Sequence, residues 1–514
     1  MQITQEAVQA ALRKGLDPEA QTPEALTPES QTPESQTPIV KLEDDADPNL
    51  VTWDGPDDVE NPKSWAFAVR WRLTIIASAF SFISPVSTSM TAPALGAIGE
   101  ELHMDQEFER FLSLSIFILA SAFGPFLAGP LSEMYGRRPV LQLFNLFYLC
   151  FNTACGFAMT GQQLIVCRFF AGFGGSAATV IGAGILGDVW NTEERGLSVS
   201  IYTLGTLLGP TIGPLCGGFI TQYSSWRWTF WAISIANACI QVVATLFFRE
   251  TFAPVLLGRK AARLRKETGN PDLHTKWQRP DRTFTKLALT AVARPFMLLT
   301  TQPILQVLAL YIAYVFGLTY LALSTFPILW TTQYEMPISI AGLNYLALAI
   351  GYIIGTQICT RLIDVVYKRL KETRGKGTGQ PEYRLPLLLP GALMIPIGLF
   401  WYGWSAQNHF HWIMPDIGIA IFGAGVKFAL QCTQLYALDV YPTYAASASA
   451  ASMFVRSLAG FAFPLFAPYL YLSLQFGWGN TLLALVALVL GVPAPFFLWY
   501  FGPSLRRRSP YAAG

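Results

Sequence analysis

Residues 205–218 read G-T-L-L-G-P-T-I-G-P-L-C-G-G. Gly205, Gly209, Gly213 and Gly217 recur every fourth residue inside a long apolar segment, so on a helix they stack on nearly one face and leave a groove bare of side chains. Another helix fits that groove almost backbone to backbone. Pro210 and Pro214 each remove an amide donor and crowd the carbonyl four residues earlier, which lipid tolerates only where neighbouring groups re-satisfy the backbone. The stretch, closed by Gly218, predicts a bent membrane helix at a packed interface.

The whole chain agrees with a membrane setting. Of its 514 residues 52% are hydrophobic and only 13% charged, which excludes an ordinary soluble protein. Runs of about twenty apolar residues predict twelve spans, near 73–95, 111–131, 140–159, 164–188, 196–222, 229–248, 304–330, 338–366, 385–404, 412–436, 445–472 and 480–501. Tryptophans at the span ends form an interfacial belt. The seven cysteines all fall in apolar runs without metal-ligand spacing, so neither disulfides nor a metal site is expected. The N-terminus lacks the pattern of a cleaved leader, and the first span is expected to direct insertion.

Charge divides the chain further. Residues 1–62 hold 14 acids against 3 bases and a near-repeat of Thr-Pro-Glu units, a composition that predicts a disordered acidic tail, either inert or regulated by phosphorylation. The remainder is basic. Arg137 and Arg138, the eleven bases of residues 249–294, the cluster from Lys368 to Arg384, and Arg506 to Arg508 all fall on one side if the spans alternate, which places both termini in the cytoplasm. The predicted organisation is a tail (1–68), a six-helix bundle (69–250), a basic linker (251–298), a second six-helix bundle (299–502) and a basic C-terminal tail (503–514). A short internal repeat supports the halving: Glu133 precedes Arg137 and Arg138 after span 2 as Asp364 precedes Lys368 and Arg369 after span 8.

Over about residues 65–505 the chain resembles the major facilitator superfamily, and within it the twelve-span drug:proton antiporters of fungal type. Three motifs carry the resemblance. The loop motif G-x-x-x-D-R-x-G-R-R appears at residues 129–138, with Glu133 for the usual Asp and Met134 for the usual Arg. The span 4 motif appears as Arg168 and Gly172. The antiporter motif G-x-x-x-G-P-x-x-G is Gly205, Gly209, Pro210 and Gly213, continuing to Gly217 and Gly218. The segments R-E-T-F-A-P-V-L-L (249–257) and P-E-Y-R-L-P (381–386) are also similar to this branch. The resemblance implies an all-α major facilitator fold of two pseudo-two-fold related six-helix bundles. It implies that Glu133 locks a cytoplasmic gate against span 11, that Arg168 takes part in proton coupling, and that the glycine ladder meets span 8, where Gly351 and Gly355 repeat its spacing. Ser84, Thr88 and Thr91 of span 1 and Tyr311 and Tyr314 of span 7 lie in spans that line the family's cavity.

Intramembrane charge points to the cargo. Lys427 shares a helix face with Gln431 and Gln434, and Arg456, near mid-depth in span 11, shares one with Ser449, Ser452 and Gly460. Such cations are expensive in hydrocarbon and usually face a cavity or partner. Snorkelling for Lys427 and purely structural roles for Arg168 and Arg456 are the alternatives. No Asp or Glu lies near the middle of a span: Asp188, Asp364 and Asp439 sit at cytoplasmic span ends, where helix termination, gate contacts and proton carriage are the alternatives. A positive cavity without a carboxylate suits an anionic or polyphenolic cargo.

These features predict a membrane transporter, functional as a monomer, that exports a small organic molecule by alternating access. The proton gradient is its energy source, no cofactor is needed, and the plasma membrane is its default location. An organic-acid facilitator or proton symporter, or a transporter-like nutrient sensor, is the alternative. Neither enzymatic nor ATP-driven chemistry is expected: there is no phosphate-binding loop, and the four histidines lack metal-site spacing. Nucleic acid is not an expected partner.

Overall fold

The computed structural model describes residues 47, 49–55, 58–191, 194–277, 284–374, 379–442, 444–509 and 511–512. Residues 1–46, with the Thr-Pro units, lie outside the described residues. Helices α1 (Phe67–Ser89), α2 (Leu95–Glu101), α3 (Glu107–Tyr135), α4 (Arg137–Cys155), α5 (Gly161–Gly175), α6 (Ala177–Val189), α7 (Arg195–Tyr223) and α8 (Arg227–Phe247) build the first half. The linker carries α9 (Ala253–Thr268) and α10 (Phe284–Thr301). The second half is α11 (Pro303–Ile328), α12 (Ile338–Leu343), α13 (Tyr345–Thr373), α14 (Leu388–Gln407), α15 (Ile413–Val440), α16 (Ala445–Gly491) and α17 (Pro493–Arg507).

Ten stretches are long and apolar enough to cross a membrane among the described residues. Two further features bring the crossings to twelve. Helix α4, of 19 residues, is lowered in hydropathy by Gln142, Asn145 and Asn152, yet its length of about 28 Å at 1.5 Å per residue nearly matches the hydrocarbon thickness. Helix α16 leaves helical geometry at Gln475, where φ is 57°. The chain reverses there, because Tyr471 stacks on Phe476 at 4.7 Å and bonds Asn480. The 63-residue stretch Ala445–Arg507 therefore crosses twice.

The same pairs of spans touch in both halves. Helix α1 packs on α7, α3 on α5, and α4 on both α5 and α8; correspondingly α11 packs on the first arm of α16, α13 on α15, and α14 on both α15 and the second arm of α16. That correspondence is the pseudo-two-fold relation. The halves meet where α3 lies against α16 and where α7 lies against α12 and α13. Below, the face that bears the Tyr135–Arg137 turn, the linker and the end of α17 is called the terminal face.

The glycine ladder has a different partner from the expected one. A Cβ on Gly209 would stand 2.6 Å from Cβ of Pro85, and on Gly213 2.8 Å from the Val86 carbonyl oxygen; Gly217 meets Met90. All three face α1, inside the first half. Gly351 and Gly355 likewise face Ala420 and Ala424 of α15, inside the second half. Only Gly218 looks across, 2.7 Å from the Ile338 carbonyl oxygen, while Gly342 opposes Pro214 at 2.9 Å. The α7 contact with span 8 thus exists, made by α12 and α13, but Gly209, Gly213 and Gly217 are not the residues that make it. Four-residue spacing identifies a bare face and does not say which helix fills it.

Part of the expected disordered tail is also folded. Residues 49–55 and 58–66 lie as a strap on the linker: Leu50 and His274 form a parallel bridge, with Val51 N donating to His274 O at 2.8 Å and His274 N to Asn49 O at 2.9 Å. Lys260, its side chain 4% exposed, reaches Asp54 at 2.7 Å and Asp58 at 3.1 Å, and Arg263 reaches Glu60 at 2.8 Å. The amides of Asp54 and Glu60, then Lys260, hold the Asp58 carboxyl below its ordinary range. Burial works against the Lys260 charge, but Asp54 and Asp58 outweigh it and hold the ammonium above its ordinary value. Composition averaged over residues 1–62 hid this pairing, because the acids that look disordering in isolation meet cations 200 residues away.

The ladder makes a graded prediction. Gly205→Ala, where a Cβ would be 3.4 Å from Ser78 O, is expected to leave thermal stability in detergent within error. Gly209→Ala and Gly213→Ala are expected to lose about 1–3 kcal/mol through overpacking, read as lower melting temperatures and loss of monodisperse protein.

Candidate functional site

The two intramembrane cations of the second half come together. Lys427 on α15 places Nζ 4.3 Å from the Tyr352 ring centre on α13. Arg456 on α16 places Cζ 4.9 Å from the Phe316 ring centre on α11, and Phe316 in turn packs on Tyr320 at 4.9 Å. The cations are near enough to repel one another electrostatically. Neither has an ion-pair partner among the described residues; their charge rests on ring faces instead. Arg456 Nε is buried without an acceptor, and so is the hydroxyl of Ser452 one turn away. At Gly460, the next turn of the same face, a Cβ would meet Phe316 at 3.1 Å and Ile118 of the first half at 3.2 Å. The cluster therefore borders the seam between the halves, with unfilled donors and surplus positive charge.

The other expected cavity residues lie elsewhere. Tyr314 donates to the Leu483 carbonyl on the second arm of α16 at 2.6 Å and packs on Phe463 of the first arm, while a Cβ on Gly491 of the second arm would stand 3.4 Å from the Tyr311 ring. Helix α11 is buried on nearly every side, and apolarity all round leaves no phase by which to choose a cavity face. Tyr320 and Tyr352 are the tyrosines beside the cations. Ser84 lines a small cavity in the first half with Asn145 and Tyr148, and Thr88 donates back to its carbonyl at 2.9 Å. Gln431 donates to Thr360 at 2.8 Å, Gln434 is exposed, and Ser449 is exposed.

Arg168 is a fully buried node of the first half. Nε donates to Ser113 O at 3.3 Å, Nη1 to Ser87 O at 3.1 Å and Nη2 to the Thr91 hydroxyl at 3.4 Å, and the group lies 4.6 Å over Phe117. These bonds tie α1, α3 and α5 together. Among the described residues it has no carboxylate partner.

At the terminal face, charges pair within each half. Arg137 Nε meets Asp188 at 3.1 Å and lies over Phe252 at 4.5 Å, while Arg138 donates to Thr245 O at 2.9 Å. Glu250, for which no local sequence pattern marks a role, accepts from the amides of Arg137 and Arg138 and so caps α4, where the helix dipole favours an anion. In the second half Arg384 meets Asp439 at 2.6 Å and Asp364 at 3.6 Å, and Arg506 meets Glu382 at 3.4 Å. Asp188 ends span 4 and Asp439 ends span 10, so Arg384 is the structural counterpart of Arg137. The expected match of Arg137 and Arg138 with Lys368 and Arg369 rested on spacing alone. Glu133 is exposed, and among the described residues it forms no ion pair.

Asp416, four residues inside span 10, also escaped notice. It is 9% exposed, its Oδ1 has no partner, and Tyr334 and Tyr402 are its electrostatic neighbours.

Comparison with known proteins places this geometry. The sequence pattern of the Major Facilitator Superfamily matches residues 77–464. The efflux pump vrtL of Penicillium aethiopicum is 52% identical over 470 residues, covering 91% of this chain and 93% of the pump. The efflux pump radE of Floropilus chiversii is 38% identical over 466 residues, covering 90% and 86%. The solved xylose transporter XylE of E. coli superposes with a TM-score of 0.61 at 15% identity, covering 84% of this chain and 98% of that one, a likeness of fold.

The paired charges make a reciprocal prediction. Arg384→Asp is expected to cost about 1–3 kcal/mol, between the limits for exposed and buried pairs, and Arg384→Asp with Asp439→Arg to recover most of it. Melting temperatures of the purified variants check this; a double variant no better than the single would deny the pair its role.

Proposed function

Since the chain belongs to the major facilitator superfamily and is a multi-pass membrane transporter, we propose that it exports a small organic anion in exchange for protons. The terminal face is then cytoplasmic, by the excess of Lys and Arg there, and the protein works as a monomer in the plasma membrane. The observation that carries the cargo class is the Lys427 and Arg456 cluster: two cations without counter-ions among the described residues, beside open hydrogen-bond donors and aromatic faces, at the seam between halves. A carboxylate or phenolate on an aromatic scaffold satisfies all three at once, by charge-assisted bonds and ring contact. A cationic drug would add a third like charge. The outward direction is supported by the relatives named efflux pumps and by the antiporter motif on α7.

Proton exchange has two candidate routes. Cargo anion and proton can compete for the cation cluster, so that release of one follows binding of the other. Asp416 offers a second route: a buried acid without a donor for Oδ1 is stable when neutral and can ionise when water or a cation reaches it. Arg168, bonded to two carbonyls and the Thr91 hydroxyl, orders the first half around these events.

The test is transport by the purified protein in liposomes with an imposed pH gradient, using salicylate, an uncharged polyphenol and tetraethylammonium as cargo probes. Gradient-driven movement of salicylate is expected, and Lys427→Ala or Arg456→Ala is expected to cut it about tenfold or more, the loss of one charge-assisted contact. Salicylate transport undiminished in both variants would remove the anionic cargo, and indifference to the gradient would remove antiport. Asp416→Asn is expected to abolish gradient-driven movement while leaving salicylate exchange at equal pH, which separates the two proton routes.

A further inference from the structure

A cavity of about 690 Å³ opens at the terminal face, walled by the strap, the end of α8, the start of α4 and helix α9. Five cations line it: Arg138, Arg249, Arg259, Lys260 and Arg263. Two acids, Glu60 and Glu250, oppose them. Most of this charge is already committed. Glu250 accepts from four main-chain amides, those of Arg137, Arg138, Thr251 and Phe252, and Glu60 pairs with Arg263. Lys260 is held by Asp54 and Asp58. Arg249 and Arg259 remain, each without an acidic partner among the described residues, facing a concave wall that includes Trp65, Val59 and Leu256.

That arrangement fits an anion better than water. A cleft lined by one sign of charge with apolar walls focuses its field, and guanidinium forks match phosphate oxygens in pairs. The volume lies in the range of small-molecule sites. We propose that this cavity binds a phosphate-bearing anion, at a site separate from the cation cluster between the halves. Arg249 and Arg259 would hold the phosphate, and Trp65 and Leu256 would lie against the group that carries it. Such a ligand bridges α8 to α9 and to the strap, and so fastens the linker and the folded part of the tail to the first half. The phosphate can come from the headgroup of an inner-leaflet lipid or from a soluble phosphate ester.

The full chain in phosphatidylcholine nanodiscs, titrated calorimetrically with inositol hexakisphosphate and with inorganic phosphate, tests the soluble source; nanodiscs doped with phosphatidylinositol 4-phosphate, read by bound lipid after extraction, test the headgroup. Binding in at least one arm is expected, falling as salt is added. Arg249→Gln with Arg259→Gln is expected to weaken it about tenfold or more while leaving the ligand-free melting temperature unchanged. Arg259→Glu alone provides a second, independently folded test with the same expected direction. Binding only of the soluble probes assigns the site to a phosphate ester, and binding only in the doped discs assigns it to a headgroup. Absence of binding in both arms, or binding that neither variant weakens, would overturn the proposal.

Discussion

Helices in lipid gain nothing by hiding apolar surface from one another, since the tails around them are as apolar as leucine, so close approach of backbones must supply the attraction. This protein meets that constraint with glycines, and it does so inside each half. Gly209, Gly213 and Gly217 admit α1 against α7; Gly351 and Gly355 admit α15 against α13; Gly398 and Gly418 do the same between α14 and α15. Between the halves, Gly218 and Gly342 admit one backbone approach of α7 to α12, and at the α3–α16 contact rings meet, Phe123 and Phe126 against Phe454. Backbone contacts fix geometry to a fraction of an ångström, and side-chain contacts can be remade. The proposed transport cycle would then remake the ring contacts of the seam and keep the bundles.

Charge is placed to match. At the terminal face Arg137 pairs with Asp188 and Arg384 with Asp439, each inside its own half, so these pairs brace a bundle and do not cross the seam. Arg168 does likewise at depth, with carbonyls in place of acids. Lys427 and Arg456 break the rule. Their charge is balanced by ring faces alone, an arrangement that stability does not call for and that a cargo anion would complete.

What could be read from the sequence follows the strength of each physical signal. Spans were legible because crossing a bilayer demands about twenty apolar residues, and the cations because charge in hydrocarbon is rare. The ladder was legible as a bare face, while its partner was not: a stripe of glycines describes one surface of a contact made by two. The facing of Tyr311 and Tyr314 was not legible, because α11 is apolar all round and carries no phase. Glu250, Arg384 and the strap acids were hidden for another reason. Their partners lie far along the chain, so only folding reveals that Lys260 needs Asp58 or that α4 needs Glu250.

The central claim is that the two halves move as firm bodies about a seam that holds the cargo. Spin labels on exposed positions of a cysteine-free chain measure this directly: Tyr135 with Lys371 across the seam at the terminal face, Glu100 with Asn408 across it at the opposite face, and Tyr135 with Thr245 within the first half. With and without salicylate, and as pH is changed, the two cross-seam distances are expected to change in opposite senses while the pair within the half stays fixed. A shift within the half, or cross-seam distances that stay constant while transport proceeds, would contradict the account.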